Sequence, residues 1–442
     1  MAKGGTPAGL ITTTVFQQLA LSEMSALGAV GLPVLVVQHP LGGESPDGVG
    51  HRVAQAVEQI SSLFGHGSRA AADGPGRSSP RLAGPQPRDE AQSSPERRSA
   101  DLSLPEDADV FAEFVRREWC DGLPIVAPTR ERVDAMLATM PSDGREVLGL
   151  MAPLWRECTL SKLAVNAVMA GCEPAAFPLI VAAVHAMLDP GFNLYGVQAT
   201  THPVAPLMIV SGPGARAVGL HSGAGLFGPG FRANATIGRA IRLILMNVGG
   251  GWPGRHDMAT QGSPAKFSFA IAEREDASPW EPLHVALGFR ADQTVVTVYG
   301  GEPPHNVNDH VSTTAAGILN NVSDVATTLG SNVGWYFSQS QLLVVLGPEH
   351  AATVAADGFT RADVQRFVFE HARLPLGRLK LGGMWGMHDW PLWMRSVTDD
   401  SVMLPQVPSP DDVFVMVAGG PGKHSAVVPN CTFSRAVSRV VG

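Results

Sequence analysis

The sequence predicts a mixed α/β protein in which a small half α/β unit precedes a large mixed α/β domain. The first observation behind this prediction is a recurring pattern of a continuous apolar run, a Gly/Pro turn and a helical segment. Such runs are typical of strands that are buried in partly parallel sheets. The second is the length of 442 residues, which exceeds what one hydrophobic core usually serves and suits two or three domains.

A segment rich in Pro, Ser, Gly and charged residues sets the predicted domain limits. Residues 66–100 contain a single large hydrophobic residue, Leu82. Such a segment buries too little apolar surface to offset the entropy lost on ordering. We therefore predict a half-domain over residues 1–65, a disordered linker over 66–100, and a large domain over 101–442 that carries the site.

The half-domain is predicted to have the order strand–helix–strand–helix. Its second strand is the apolar run "VLVV", and its second helix starts near Pro46. An apolar stripe at helical spacing marks one face of that helix: Val49, Val53, Val57 and Ile60. Because two parallel strands do not make a stable sheet alone, we expect this piece to pack on the large domain or on another chain.

The large domain contains two similar units of apolar strand, Gly-Pro turn and helix, "APLMIVSGPGARAVGL" and "QLLVVLGPEHAATVAADGF". A third, weaker copy is "DVFVMVAGGPGKHSAVV". The repetition predicts two related α/β halves and suggests an internal duplication. Three helices are also predicted, at about residues 159–172, 177–189 and 234–249, the last of them buried and ending at Gly249.

Composition and charge exclude several classes of protein. The formal net charge of −8 and the lack of a basic run argue against nucleic-acid binding. The four cysteines form no CxxC pair, and His305 and His310 lie five apart rather than four, so no disulfide framework and no metal site is predicted. No signal peptide or membrane span is apparent, which indicates a cytoplasmic, oligomeric protein.

Cys172 is the first candidate catalytic residue. It lies in "NAVMAGCEP", where one predicted helix ends and the next begins. A thiol near a helix N-terminus can have a lowered pKa and act as a nucleophile. The alternative is that Cys172 is a small buried core residue.

Thr201 and His202 are the next candidates. They lie in "GVQATTHPVAP", directly before a predicted buried strand. Ligands of α/β proteins bind at such sheet edges, and histidine can serve there as acid, base or metal ligand. A structural histidine is the alternative.

A glycine-rich loop supplies the predicted substrate-binding groups. Residues 219–230, which include Gly228, precede the helix that opens with Asn234 and Thr236 and carries Arg239. Exposed backbone N–H groups and a helix N-terminus favour an anion, although a purely structural loop fits equally well. The loop matches neither nucleotide-binding glycine motif, so the signal for a nucleotide is weak and the cofactor stays unknown. Lys266, in a long irregular loop, is a further candidate.

The N-terminal segment resembles the C-terminal half of the UGSC family of (seleno)proteins over residues 8–62. The most specific stretches are Phe16 after the threonines and "VVQHPLGG", residues 36–43. The family is named for a Gly-Ser-Cys motif in its first half, and no such tripeptide occurs in this chain. The resemblance implies a small partner chain that carries the Gly-Ser-Cys half-domain, docks against the strands "LITTTV" and "VLVVQH" to complete one sheet, and faces His39. The large domain resembles a bacterial family without a secure activity.

These observations lead to a first hypothesis and two alternatives. The first is a bacterial enzyme subunit that acts on a small, anionic metabolite by thiol or selenol chemistry, either redox or carbon–heteroatom cleavage. Its site is completed by the partner chain. This chain contributes Cys172, Thr201, His202, Asn234 and Arg239. The alternatives are a metal-dependent lyase or hydratase that uses His202, His221 or His256, and a non-catalytic ligand-binding scaffold.

Overall fold

The computed structural model describes residues 8–29, 31–38, 46–64, 103–105, 108–331, 340–381 and 396–442. These residues form two compact units, residues 1–14 with 31–119 and residues 15–30 with 120–442. The α/β class is confirmed, because helices and strands are mixed throughout the described part of the chain. The predicted domain limits stay a prediction. The predicted linker lies outside the described residues.

The N-terminal segment has the predicted order of elements. They are β1 (Leu10–Thr13), α1 (Gln17–Ala26), β2 (Val34–Val37) and α2 (Pro46–Phe64). The two strands pair in parallel, with Leu10 opposite Val34 and Thr13 opposite Val37. In the first unit, the Gln59 side chain of α2 accepts a hydrogen bond from the Val36 N–H and donates one to the Val36 carbonyl. This amide occupies the backbone groups that a further strand beside β2 would use.

Helices and a short hairpin follow. The elements are α3 (Val110–Arg116) in the first unit, and in the second unit α4 (Arg130–Leu137), β3 (Val147–Met151), β4 (Arg156–Thr159), α5 (Leu160–Ala170), α6 (Phe177–Met187) and α7 (Leu194–Gln198). The predicted threonine cap of α5 is present, because the Thr159 side chain accepts a hydrogen bond from the Lys162 N–H. Both α5 and α6 are apolar and bury most of their residues, which accounts for their clear signal in the sequence.

The first half of the sheet region contains β5 (Ala205–Ser211), α8 (Pro213–Ala217), α9 (Arg232–Asn247), β6 (Ala270–Ala272), α10 (Leu283–Ala286), β7 (Val295–Gly301) and β8 (His305–Asn308). The strand, Gly-Pro turn and helix predicted here are β5, Gly212-Pro213 and α8. Helix α9 ends differently from the prediction. Val248 is its C-cap, and the left-handed residue beyond it is Gly250 rather than Gly249.

The second half contains α11 (Ala315–Ala326), β9 (Leu342–Leu346), α12 (Pro348–Ala356), α13 (Arg361–His371), β10 (Arg373–Pro375), α14 (Leu376–Leu379), β11 (Met403–Pro405), β12 (Val413–Val417), β13 (His424–Pro429) and β14 (Val437–Val440). The second predicted strand–Gly-Pro–helix unit is β9, Gly347-Pro348 and α12. The third, weaker copy was wrong. Its apolar run is β12, but the chain then turns into strand β13 instead of a helix.

Two four-stranded sheets form the centre of the second unit, in the orders β14-β7-β5-β6 and β12-β9-β13-β8. Their pairing patterns match. Strand β5 pairs in parallel with β6 and antiparallel with β7, and strand β9 pairs in parallel with β12 and antiparallel with β13. The last strand of each half belongs to the other sheet, since β8 pairs with β13 and β14 pairs with β7.

The core of this unit lies between and outside the two sheets. One apolar cluster joins both sheets through Leu207, Ile209, Leu343 and Val345. The alternate residues of β9, including Val344, face a second cluster with α11, α12 and α13. Helix α6 contacts β7 and β14 of the first sheet. The layers are therefore helix, sheet, sheet, helix, and the period-two burial follows from the pleat of the strands.

No single described helix is long and apolar enough to cross a membrane. One bent pair of described helices, Pro174–Met187 with Pro190–Gln198, reaches the length and apolar composition of a membrane span when the two are taken together.

Candidate active site

Two cationic side chains share one carboxylate in the second unit. The Lys266 Nζ donates to Asp257 Oδ1 at 3.0 Å and to Oδ2 at 2.8 Å, and the Arg242 Nη2 donates to Oδ2 at 3.2 Å. The Asp257 side chain is only 2% exposed. Two full positive charges against one negative charge leave the cluster with a surplus of one positive charge, which favours an anion beside it.

Local structure explains how these three side chains meet. Arg242 lies on α9, and the loop that follows α9 turns back because the N–H groups of His256 and Asp257 both donate to the Trp252 carbonyl. The Asp257 Oδ1 also accepts from the Ala259 N–H, which fixes the carboxylate in an Asx turn. Lys266 ends a short 3₁₀ turn further along the same loop.

Burial weakens the hydration of both cations. It lowers the pKa of the Arg242 guanidinium and the pKa of the Lys266 ammonium, while the attraction of Asp257 opposes both shifts. The positive charge of Arg242 lowers the pKa of Lys266 further. A poorly hydrated ammonium gains more from a bound anion than an exposed one, because less water must be removed when the anion binds.

A narrow cleft borders this charge cluster. Lys266 and Arg242 line it together with apolar walls from the start of β5, from α9 and from the residue before β6: Val204, Pro206, Ile241, Leu245 and Phe269. Small-molecule sites share this composition of apolar walls and a few convergent polar groups. The cleft has a volume of about 10 Å³, room for about one water molecule, so it would have to open to admit a metabolite.

His202 lies beside the cleft with a carboxylate partner. Its Nε2 is 2.8 Å from Glu302 Oε1, and its Nδ1 accepts a hydrogen bond from the N–H of Val204, a cleft residue, at 3.2 Å. An Nδ1 that accepts leaves the ring proton on Nε2, which donates to Glu302. Both side chains keep some exposure, 14% and 17%. A histidine held by a carboxylate can act in acid–base chemistry through its other nitrogen, which the Val204 N–H occupies in this structure.

Thr201 connects His202 to the loop that carries Lys266. Its carbonyl accepts a hydrogen bond from the Thr260 N–H at 2.9 Å. The Ser263 hydroxyl donates to the Pro203 carbonyl at 3.4 Å in the same region. Of the predicted site residues, Lys266 therefore lines the cleft, and Thr201 and His202 lie on the segment that leads into it through Val204. Their joint role stays a prediction.

Cys172 does not have the lowered pKa that the sequence suggested. It follows α5 and is buried, and burial raises the pKa of its thiol to about 12 although Thr236, Arg232 and Arg239 oppose the shift. Desolvation outweighs the neighbouring charges, so the thiol stays protonated near neutral pH. A catalytic role for Cys172 stays a prediction, but this chain alone does not activate it.

The glycine loop is tied to α9 by Asn234. The Asn234 Oδ1 accepts from the His221 N–H, and its Nδ2 donates to the carbonyls of His221 and Ala270. The Gly228 N–H donates to the Gly225 carbonyl. The predicted amide and backbone donors are thus already used within the protein, which favours the structural alternative for this loop.

Thr236 and Arg239 are likewise engaged. The Thr236 hydroxyl donates to the Arg232 carbonyl. Arg239 binds both oxygens of Asp121 at 2.8 and 2.7 Å and donates to the carbonyls of Leu123 and Pro124. The expectation that the arginines of this apolar helix need partners is confirmed. The predicted substrate contacts of Thr236 and Arg239 stay a prediction.

The predicted residues fall into two groups along α9. Thr236 and Arg242 are six residues apart, which separates them by about 9 Å along the helix axis. Cys172 lies at the Thr236 end, and no hydrogen bond joins it to His202 in the described part of the chain. His39 lies outside the described residues.

The histidines proposed as metal ligands have other contacts. The His221 ring stacks on Phe231 and its Nε2 donates to the Ala224 carbonyl, while the His256 Nε2 is 3.1 Å from the Ser22 hydroxyl. Among the described residues, the group with ligand atoms close enough for a metal ion is instead Glu273, Glu275 and His284.

Helix α1 of the N-terminal segment belongs to the same compact unit as the cleft. Its Ser22 hydroxyl contacts His256, the residue before Asp257, and its Glu23 accepts a hydrogen bond from the Trp155 Nε1 at 2.5 Å. Leu19 and Met24 are its buried apolar residues. The segment that carries α1 is therefore in contact with the loop that positions the charge cluster.

The fold and the cleft define a mixed α/β protein with paired sheets and a candidate acid–base and anion site. The UGSC family model matches residues 1–66, so the N-terminal segment contains a UGSC-family domain. The match does not extend beyond residue 66. No curated protein and no solved structure matches the chain.

Glu302 of the candidate site has no signal of its own in the sequence, and Asp257 is indicated only by its place in the same irregular loop as Lys266. Both follow a helix or strand within a loop, where carboxylates are common and their partners cannot be identified from spacing. The sequence signal for these carboxylates comes from the residues that pair with them. His202 and Arg242 are polar residues next to apolar elements and so require partners.

Proposed function

We propose that this chain is an enzyme subunit that cleaves a carbon–heteroatom bond in a small anionic metabolite. The observation that carries the proposal is the cleft lined by Lys266 and Arg242, which share the single carboxylate of Asp257. His202 is tied to the cleft through the N–H of Val204, which lines it. Such a cluster binds a carboxylate or phosphate of the substrate through charge-assisted hydrogen bonds.

His202 is the acid–base group in this proposal. Glu302 holds the Nε2–H, so His202 can accept a substrate proton only at Nδ1 and only after the Val204 N–H has released that nitrogen. Bond cleavage needs a proton to be taken from carbon and one to be given to the leaving atom, which a histidine–carboxylate pair supplies. Burial raises the pKa of Cys172 to about 12, so the thiol or selenol of a redox reaction would have to come from the partner chain.

The test is anion binding measured by calorimetry with inorganic phosphate, lactate and succinate as probes. At least one probe is expected to bind, and Lys266→Met is expected to weaken it about tenfold or more, the value of one hydrogen bond to a charged group. Lys162→Met is the matched control, because the Lys162 ammonium contacts the Glu157 carbonyl outside the cleft. Equal affinity of Lys266→Met and wild type for the anionic probes would contradict the proposal that Lys266 binds the substrate anion.

The surface of α2 supports a partner for the UGSC-family domain. Its predicted apolar stripe is exposed, with Val49 at 41%, Val53 at 55%, Val57 at 52% and Ile60 at 40%. Helices of monomeric proteins seldom leave a whole apolar stripe in water. We infer that a small chain with a Gly-Ser-Cys half-domain covers the stripe and supplies the thiol or selenol that this chain lacks. The same stripe would serve a non-catalytic scaffold equally well.

A further inference from the structure

We propose that Glu273, Glu275 and His284 form a binding site for a divalent transition-metal ion, separate from the anion cleft. One ligand atom from each residue lies within 4.8 Å of the others. Glu273 follows β6, and His284 is on α10. The three residues are all in the second unit.

The main evidence is a buried histidine without partners. His284 is 1% exposed, and neither its Nδ1 nor its Nε2 has a hydrogen-bond partner among the described residues. A buried imidazole in this state loses its hydration without compensation, which is unfavourable for each unpartnered nitrogen. A metal ion bound to one ring nitrogen would remove that cost at that nitrogen.

Glu273 provides the second observation. Its Oε2 accepts hydrogen bonds from the Ser211 hydroxyl and the Leu283 N–H, both at 2.8 Å. Its Oε1 is buried and has no hydrogen-bond partner in the part of the chain that the structure describes. Hydrogen bonds from the protein thus hold Oε2 in place, as they do in metal-binding carboxylates, and Oε1 is left to bind a metal ion.

Glu275 and Arg361 complete the surroundings. Glu275 accepts a hydrogen bond from the Gly212 N–H at the end of β5, so the cluster lies beyond the carboxyl ends of β5 and β6. Ligand sites of open α/β sheets occupy this position. The Arg361 Nη2 is 3.9 Å from Glu273 Oε1 and donates to the Glu281 carbonyl. The one guanidinium of Arg361 does not balance the two carboxyl groups of Glu273 and Glu275, so the cluster favours a further cation.

The donor set indicates the class of metal. Two carboxylate oxygens and one imidazole nitrogen suit zinc and manganese, whereas calcium and magnesium sites are built from oxygen donors. An ion here would connect Glu273 and Glu275, which follow β6, with His284 on α10. The ion is therefore expected to stabilise the fold.

The experiment uses the full chain after chelation and dialysis, with Zn²⁺ as the titrant in calorimetry and elemental analysis for stoichiometry. Wild type is expected to bind one ion that His284→Ala weakens at least about 100-fold, because losing a ligand costs more than losing a second-shell contact. Glu275→Gln, at a partly exposed position, is expected to weaken binding in the same direction and covers the case in which His284→Ala does not fold.

His310→Ala is the control, since its Nε2 lies 3.3 Å from the His424 Nε2 on the surface and this pair is the obvious competing zinc site. Zinc binding that is lost in His310→Ala but kept in Glu275→Gln and His284→Ala would overturn the proposal. Failure of wild type to take up any zinc would overturn it too. Neither result would bear on anion binding by Lys266.

Discussion

Two arginines three residues apart on α9 have different environments. Arg239 binds both oxygens of Asp121 and two backbone carbonyls, so its guanidinium is saturated. Arg242 shares Asp257 with Lys266. A saturated cation fixes the fold, whereas a cation that competes for one carboxylate can exchange it for a substrate anion. The number of acceptors per cation, rather than residue type, separates the two roles.

The cysteines are expected to resist alkylation in the native protein. Burial raises the pKa of Cys158, Cys172 and Cys431 to about 12. At pH 7.5 their thiolate fraction is then about three orders of magnitude below that of an ordinary cysteine. Because deprotonation is favoured as the pH rises toward the raised pKa, labelling should become about tenfold faster per pH unit between 7 and 9.

The measurement is peptide mass spectrometry after iodoacetamide treatment. Protein unfolded in urea is the reference and should be modified at all four cysteines. Rapid modification of native Cys172 at pH 7 would show that its thiol is activated after all, and would restore this chain as a source of the nucleophile.

At the level of elements, the sequence predicted the features that depend on local periodicity. Helices α5, α6 and α9 and strands β5 and β9 carry long apolar patterns and were found where expected. Strand β13 was missed because a glycine-rich turn after β12 resembles the other strand–turn–helix units. Whether a strand or a helix comes after that turn depends on pairing with β8 and β9, which are distant in the chain.

The candidate site was also predictable only in part, because its contacts join residues that are distant in the chain. His202 was identified because it directly precedes a predicted buried strand, and Lys266 because it lies in a long irregular loop. The pairing of His202 with Glu302 spans 100 positions, and it follows from the approach of the segments that flank β5 and β7. Glu273 and His284 gave no sequence signal, since an acidic residue after a strand is common and only burial makes it unusual.

Gly238 in α9 is expected to be intolerant of a side chain. A Cβ there would lie 2.5 Å from the Phe269 N and 2.3 Å from the Ser268 hydroxyl, so α9 would have to move away from the chain before β6. Gly238→Ala is expected to destabilise the protein by about 1–3 kcal/mol through overpacking, although alanine favours helix. Gly50→Ala on α2, where no described atom would lie within 4 Å of the added Cβ, should stabilise by roughly 0.5–1 kcal/mol.

Urea unfolding followed by circular dichroism checks both variants. Since Gly238 also lines the cleft, its replacement should weaken anion binding as well. Equal midpoints for Gly238→Ala and wild type would mean that the close approach of α9 to Phe269 does not contribute to stability.

At the scale of the whole molecule, the two sheets of the second unit cannot be separated into independent halves. Strand β8 follows β7 but pairs in the other sheet, and β14 follows β13 but pairs with β7. The hydroxyl of Tyr299 on β7 also donates to the Val428 carbonyl of β13. If an internal duplication produced the two halves, this exchange accounts for their retention in one chain, since each completes the sheet of the other.

The N-terminal segment lacks such mutual completion, so it is expected to need a partner. Strands β1 and β2 pair only with each other in the described part of the chain, and Gln59 occupies the Val36 backbone groups at the outer side of β2. The partner is therefore expected on the exposed stripe of α2 rather than beside β2. Val53→Glu combined with Val57→Glu places charges on surfaces that are 55% and 52% exposed, so the chain itself should stay folded.

Co-expression with a small chain that carries a Gly-Ser-Cys half-domain, followed by size-exclusion chromatography with light scattering, measures the complex. Wild type and the control Gln55→Glu, whose side chain is exposed on the other side of α2, are expected to elute with the partner. The double variant is expected to elute without it, because two buried carboxylates without counterions oppose association by several kcal/mol. A complex that survives the double substitution would mean that the partner does not bind this stripe, and the exposed valines would then need another occupant.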